Sequence, residues 1–144
     1  MNSFLPILTC EESTILEKEL LQNNEEIWHA MTQVGQTLCQ SILKDFSEIA
    51  PLVPSPHILL LLGKGHNAGD ALLTASEILK RFPKAQIKLL FALGQDNLKP
   101  LTQKALDTLP PQYTITTLED ALSQNFDIAI DGILGMSFHP PPPP

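Results

Sequence analysis

His57-Ile58-Leu59-Leu60-Leu61-Leu62-Gly63-Lys64-Gly65-His66-Asn67-Ala68-Gly69-Asp70-Ala71 is an apolar run emptying into a glycine loop that closes on an aspartate. Unbroken apolar residues from Ile58 to Leu62 fit a strand buried on both faces, as central strands of parallel sheets are. After the loop, Gly63 to Asp70, the spacing of Leu72, Ala75, Ser76 and Leu79 predicts one face of a helix. Strand, glycine loop and helix make the first unit of a dinucleotide-type fold, in which backbone N–H groups and a helix N-terminus can hold an anion. The loop departs from both standard fingerprints. Its third glycine, Gly69, comes one position late for G-x-G-x-x-G, and Lys64 lacks the following hydroxyl of a G-K-[ST] loop. A glycine-rich turn that holds no ligand is the alternative reading.

On the N-terminal side, Thr9-Cys10-Glu11-Glu12 is a capping-box pattern that starts a helix through about Leu21. A second helix is predicted from about Asn24 to Phe46, with Ile27, Met31, Val34, Leu38 and Ile42 on one stripe. Gly35 inside it costs about 1 kcal/mol relative to alanine, which close packing would explain. Trp28 and His29, near its start, read as packing or capping residues. Three prolines within 47–56 make that segment a linker into the first strand.

On the C-terminal side, a second strand is expected over Gln86 to Leu93. A helix then carries Leu98, Leu101, Ala105 and Leu109, ended by Pro110-Pro111. A third strand is predicted at Tyr113 to Thr117, a helical turn at Leu118 to Leu122, and a last strand at Phe126 to Leu134, apolar on both faces. Alternating strands and helices imply right-handed crossovers and a parallel sheet with helices on both faces, in strand order 3-2-1-4. That order sets the glycine loop beside the end of the last strand, at the switch point where ligands bind. Asp131 in that strand is costly to bury unless paired or ligating a cation. Alternatively, it accepts hydrogen bonds from backbone N–H groups of a neighbouring loop.

With 144 residues, 43% of them apolar and 17% charged, the chain is sized for a single folded domain with a core. A net charge of −7 argues against nucleic-acid binding. The charge is uneven: residues 1–50 hold eight acidic and two basic side chains, whereas 57–93 hold two acidic and five basic. Only Lys64 of those five lies in the glycine loop. No apolar stretch approaches the ~20 residues of a membrane span, and Glu11 and Glu12 stand where a targeting peptide would carry basic residues, so a cytoplasmic location is expected. Cys10 and Cys39 lack C-x-x-C spacing and support neither a disulfide framework nor a zinc site.

Taken together, GKGHNAGDALLTASEIL and FDIAIDGILGMSF resemble the YjeF N-terminal domain family, the NAD(P)H-hydrate epimerases. Its members read G-x-G-N-N-G-G-D-G and V-V-D-A-x-x-G-T-G at these places. ILTCEEST and MTQVG also look like the family's N-terminal helices. The resemblance covers essentially the whole chain. It implies an α/β fold: a Rossmann-like three-layer αβα domain over 1–139 with a mostly parallel sheet, incomplete at the C-terminal side and followed by a proline tail, 140–144.

The activity implied is interconversion of the R and S epimers of hydrated NADH and NADPH (NADHX and NADPHX) in cofactor repair. An ADP/ATP-dependent hydrate dehydratase, fused or separate, would be the partner, and the assembly a homodimer. By position His66, Asn67, Ala68, Gly69 and Asp70 would contact substrate, as would Gly135, Met136, Ser137, Phe138, His139, Pro140 and Pro141. Asn67 and Asp131 would be ligands of a potassium ion, a hard cation that takes oxygen donors. Epimerisation needs a general acid–base group. The family's D-I-P-S-G motif, whose aspartate could serve, has no counterpart here, so the catalytic residue is expected beyond the chain end, on a following strand.

Several positions depart from the family pattern. His66 replaces the first Asn, Ala68 and Ala71 replace glycines, Thr32 and Val34 replace Glu and Ala, and Met136-Ser137 replace Thr-Gly. A positive φ at Ala68 would strain the loop by about 1–2 kcal/mol. Without further partners the last strand would be an exposed sheet edge, so the sequence reads as the front part of a longer polypeptide, a degenerate domain being the alternative. Two rival functions are a non-catalytic binding module and an ordinary dinucleotide domain. Against the latter, the second strand ends Phe91-Ala92-Leu93, with no acidic residue for a ribose 2′-hydroxyl.

Overall fold

A computed structural model describes residues 7–49 and 51–136. The elements are α1 (Cys10–Leu20), α2 (Asn24–Ile49), β1 (His57–Leu62), α3 (His66–Arg81), β2 (Gln86–Phe91), α4 (Pro100–Thr108), β3 (Tyr113–Ile115), α5 (Leu118–Leu122) and β4 (Ile128–Gly132). The four strands form one all-parallel sheet in the order β3-β2-β1-β4, as the sequence predicts. β1 lies at its centre, pairing with β2 and β4 in register, Leu60 opposite Leu89 and Ile130.

The two faces are unequal. Ile58, Leu60, Leu62, Ile87, Leu89, Ile128 and Ile130 share one core with Leu72, Ala75, Ile78 and Leu79 of α3 and Leu101, Ala105 and Leu106 of α4. The other face, Leu59 and Leu90, is covered by Ala121 of the short α5, with Leu61 and Phe126 packed alongside. Helices thus lie on both faces, but thinly on one.

β4 is shorter than predicted and not apolar on both faces. Ile128, Ile130 and Gly132 are buried, whereas Ala129 and Asp131 are exposed, the period-2 pattern of a half-solvated strand. Among the described residues β4 pairs only with β1 and is a sheet edge.

α2 runs further than expected, to Ile49, because Pro51 rather than the residues before it is the first helix breaker. Its buried face is also rotated from the predicted stripe. Met31, Gly35 and Cys39 are buried, while Val34 is 45% and Leu38 37% exposed. The reason is α3, against which α2 packs: a Cβ on Gly35 would lie 2.8 Å from Leu73 Cβ, so glycine permits the close approach. Lys104 of α4 sits over the Trp28 ring, 4.1 Å from its centroid, joining α4 to α2. Cys39 is a buried free thiol whose pKa burial raises, and Cys10 is exposed.

α1 is closed by the predicted capping box: Glu12 N donates to Thr9 Oγ1, and Thr9 N donates to Glu12 Oε2 at 2.7 Å. None of its residues is buried. It leads into α2, whose first turn is capped by Asn23 Oδ1 accepting from Glu25 N and Glu26 N. No described helix is long and apolar enough to cross a membrane.

Candidate functional site

α3 begins at His66, inside the segment read as loop, so the glycine loop proper is Gly63-Lys64-Gly65. Gly65 is the N-cap, with an extended backbone and no side-chain cap. Among the described non-glycine residues Asn97 has positive φ, and Ala68 does not, so the strain considered for it is absent. Ala68 is fully buried in the core.

Three contacts pin the loop. Lys99 N donates to Lys64 O at 2.9 Å, Thr102 Oγ1 donates to Gly65 O at 2.8 Å, and Gly63 N donates to Gly132 O at 3.1 Å. α4 and β4 therefore hold the loop from opposite sides. Thr102 is fully buried and was not singled out in the sequence; a threonine in the first turn of an ordinary helix carries no local signal. Thr102→Val keeps its shape but leaves Gly65 O without this donor, and should lower stability by about 1–2 kcal/mol in a urea titration.

Above the loop, at the C-terminal end of the strands, lies a cavity of about 370 Å³. Its floor is Gly65, His66, Asn67 and Asp70, and one rim is Ile133, Gly135 and Met136. α1 supplies Thr14, Glu17 and Lys18, α2 supplies Ile27, Met31 and Val34, and Lys99 comes from the cap of α4. Thus five predicted contact residues, His66, Asn67, Asp70, Gly135 and Met136, share one cavity. Ala68 and Gly69 do not line it. They face inward, Gly69 against the Met31 methyl and Thr102. Ser137, Phe138, His139, Pro140 and Pro141 lie outside the described residues.

Asn67 ties the two segments together: its Nδ2 donates to Leu134 O at 2.6 Å. This commits the amide nitrogen and leaves the amide oxygen for another partner. Asp131 is exposed and its Oδ1 accepts from Ile133 N at 2.9 Å, a local bond at its own strand end rather than to a neighbouring loop, and its exposure removes the argument from burial cost. Because Gly132 points at α3, against Asn67 O and Ala68 Cα, strand alternation turns Asp131 to the opposite face. Asp131 does not line the cavity. Among the described residues no three His, Cys, Asp or Glu side chains are grouped to hold a metal ion.

The electrostatics of the cavity centre on two groups. Burial, aided by the Glu17 carboxylate, pushes the Asp70 carboxyl up to about 6. Burial, aided by Lys99 and opposed by Glu17, lowers the His66 imidazole, which favours its neutral form. For Asp70 the folded value lies above the unfolded one, so the fold favours the protonated form. Its cost is absent below about pH 4, appears as pH rises towards 6, and is full above that. Asp70→Asn should therefore raise stability by about 2 kcal/mol at pH 8 and leave it unchanged near pH 4, read from the two denaturation curves.

A parallel sheet with a glycine loop, a helix N-terminus and a cavity over its strand ends defines a Rossmann-like α/β domain. Residues 29–144 match the family described as the YjeF-related protein N-terminus, and the chain belongs to that family. It is 30% identical over 138 residues to the bifunctional NAD(P)H-hydrate repair enzyme Nnr of Thermosynechococcus vestitus, covering 92% of this chain and 25% of that protein. It is 31% identical over 121 residues to the NAD(P)H-hydrate epimerase of Paramecium tetraurelia, covering 82% of this chain and 49% of that one. A chloroplastic pyridoxine/pyridoxamine 5′-phosphate oxidase of Arabidopsis thaliana is 28% identical over 97% of this chain and 26% of its own length. The crystal structure of the yeast protein ynu0 has a TM-score of 0.72 at 16% identity, covering 95% of this chain and 60% of that one, and shares the fold. The chain spans a quarter to about half the length of these curated relatives.

Proposed function

We propose that this domain interconverts the R and S epimers of hydrated NADH and NADPH. The observation that carries the reading is the cavity in which His66, Asn67 and Asp70 meet Gly135 and Met136, since these come from the two segments expected to flank the hydrate. A volume of about 370 Å³ suits a hydrated nicotinamide ring and its ribose, with the adenosine end outside. The first turn of α3 carries no acidic residue to oppose a bound diphosphate. Two relatives bear names for hydrate repair, one of them bifunctional, in line with a dehydratase partner for the product. The same reading carries a homodimer and a cytoplasmic site of action.

Potassium is part of the proposal. The Asn67 amide oxygen, left free by the bond to Leu134, is a hard oxygen donor that suits such a cation; Asp131, on the opposite face of the sheet, stands outside this site. Bound at Asn67, the cation would screen the charge of the substrate's diphosphate. Around it the chain has its own tasks: Asn67 fixes the 132–136 segment to α3, and Ile27, Met31 and Val34 give the cavity an apolar wall that displaces water from the ring.

Calorimetric titration tests the binding half of this reading. Hydrated NADPH should bind at least about tenfold more tightly than NADP+, with affinity falling when potassium is replaced by a bulky organic cation. Equal affinity for both nucleotides would count against the reading.

A further inference from the structure

Asp70 is a half-buried carboxylate, one of its oxygens shut away from solvent, that packing does not explain. Its Oδ1 is closed off from solvent and has no hydrogen-bond partner among the described residues, although the side chain lines the cavity. Leaving a buried carboxylate oxygen unpartnered costs stability, and such groups cluster where chemistry needs them. The charged and titratable groups around the cavity are Glu17 and Lys18 from α1, His66 one turn earlier on α3, and Lys99 at the cap of α4. The wall from α2 is apolar, and the 133–136 rim carries no charge. Asn67 directs its amide nitrogen to Leu134.

We propose that the Asp70 carboxyl is the acid–base group of the epimerisation, an assignment that rests on the function proposed above. The carboxyl O–H gives its proton to the hydroxyl on the ring carbon beside the ring nitrogen. The C–O bond breaks with its electron pair leaving as water, and the nitrogen lone pair closes a C=N bond. Water then adds to the opposite face of that carbon, the C=N pair returns to nitrogen, and the surplus proton goes to the Asp70 carboxylate. Atoms and charge balance over the cycle. A carboxyl titrating at about 6 can both give and take this proton near neutrality, whereas the His66 imidazole, biased towards its neutral form, is a poor acid for the hydroxyl.

The test uses the full-length protein with Asp70→Asn and Asp70→Glu, epimer-pure hydrated NADPH, and separate measurement of kcat, hydrate Kd and the pH profile. Asp70→Asn should lower kcat by at least ~100-fold with Kd changed by less than about threefold, and erase the limb near pH 6, while Asp70→Glu restores part of kcat. Asn is isosteric and its fold is verified by the expected gain in stability at pH 8. A kcat within about threefold of wild type with the limb intact overturns the assignment, as does a loss confined to Kd. A wild type that binds the hydrate without interconverting it overturns the proposed function and this assignment with it. An active wild type with an active Asp70→Asn overturns the assignment alone.

Discussion

Gly63→Ala is expected to lower stability by about 3–4 kcal/mol and the melting temperature by about 10 °C. Gly63 ends β1 and lies between it and the segment after β4, its N–H donating to Gly132 O. A Cβ there would overlap the Ile133 carbonyl and press on the Ile133 carbonyl carbon at 2.8 Å and Cα at 3.1 Å. These are backbone atoms, so no rotamer change relieves the clash, and moving them would pull β4 from β1 at the floor of the cavity. The measurement is paired thermal and urea unfolding of wild type and variant. Gly65→Ala is the control, because a Cβ at Gly65 meets nothing within 4 Å. A Gly63→Ala protein within about 1 kcal/mol of wild type would mean that the strand end is not held as described.

Asn67→Ala should have the largest effect on activity of the changes outside Asp70. It removes the bond to Leu134 O and, on the proposed function, a cation oxygen. The potassium concentration for half-maximal epimerisation should rise about 10–100-fold. Asn67 is exposed, so stability should change by less than about 1 kcal/mol. Asn67→Asp separates the two roles: it keeps oxygen donors but cannot donate to Leu134 O, so it should retain potassium dependence while loosening substrate binding. Activity in Asn67→Ala with unaltered potassium dependence would remove this residue from the cation site. Asp131→Ala, on the opposite face of the sheet, is the control and should leave the potassium dependence unchanged.

The architecture was legible where hydrophobic pattern and topology act together. An unbroken Ile58–Leu62 run fits a central strand, and alternating elements then set the order of the sheet. Boundaries were less legible because they depend on tertiary contacts. α3 absorbs His66 to Asp70, since Gly65 is pinned by Thr102 and helix can start immediately after it. β4 is less apolar than its composition suggests: Ala129 counts as apolar yet faces solvent, and Ile133 and Leu134 follow the strand rather than extend it.

In the site, the glycine loop and the segment after β4 could be named from their residues. The walls from α1 and α2 could not. Thr14, Glu17 and Lys18 look like any solvated helix face, and their part depends on how α1 lies over the cavity. The environment of Asp70 was equally hidden, because a residue's burial depends on what folds over it.

The most direct measurement starts from epimer-pure R-form hydrated NADPH, incubated with the full-length protein in potassium buffer, with the two epimers separated by chromatography over time. The account predicts that the S form accumulates to the equilibrium ratio at least ~100-fold faster than in buffer alone. Hydrate that binds but converts no faster than in buffer would contradict it.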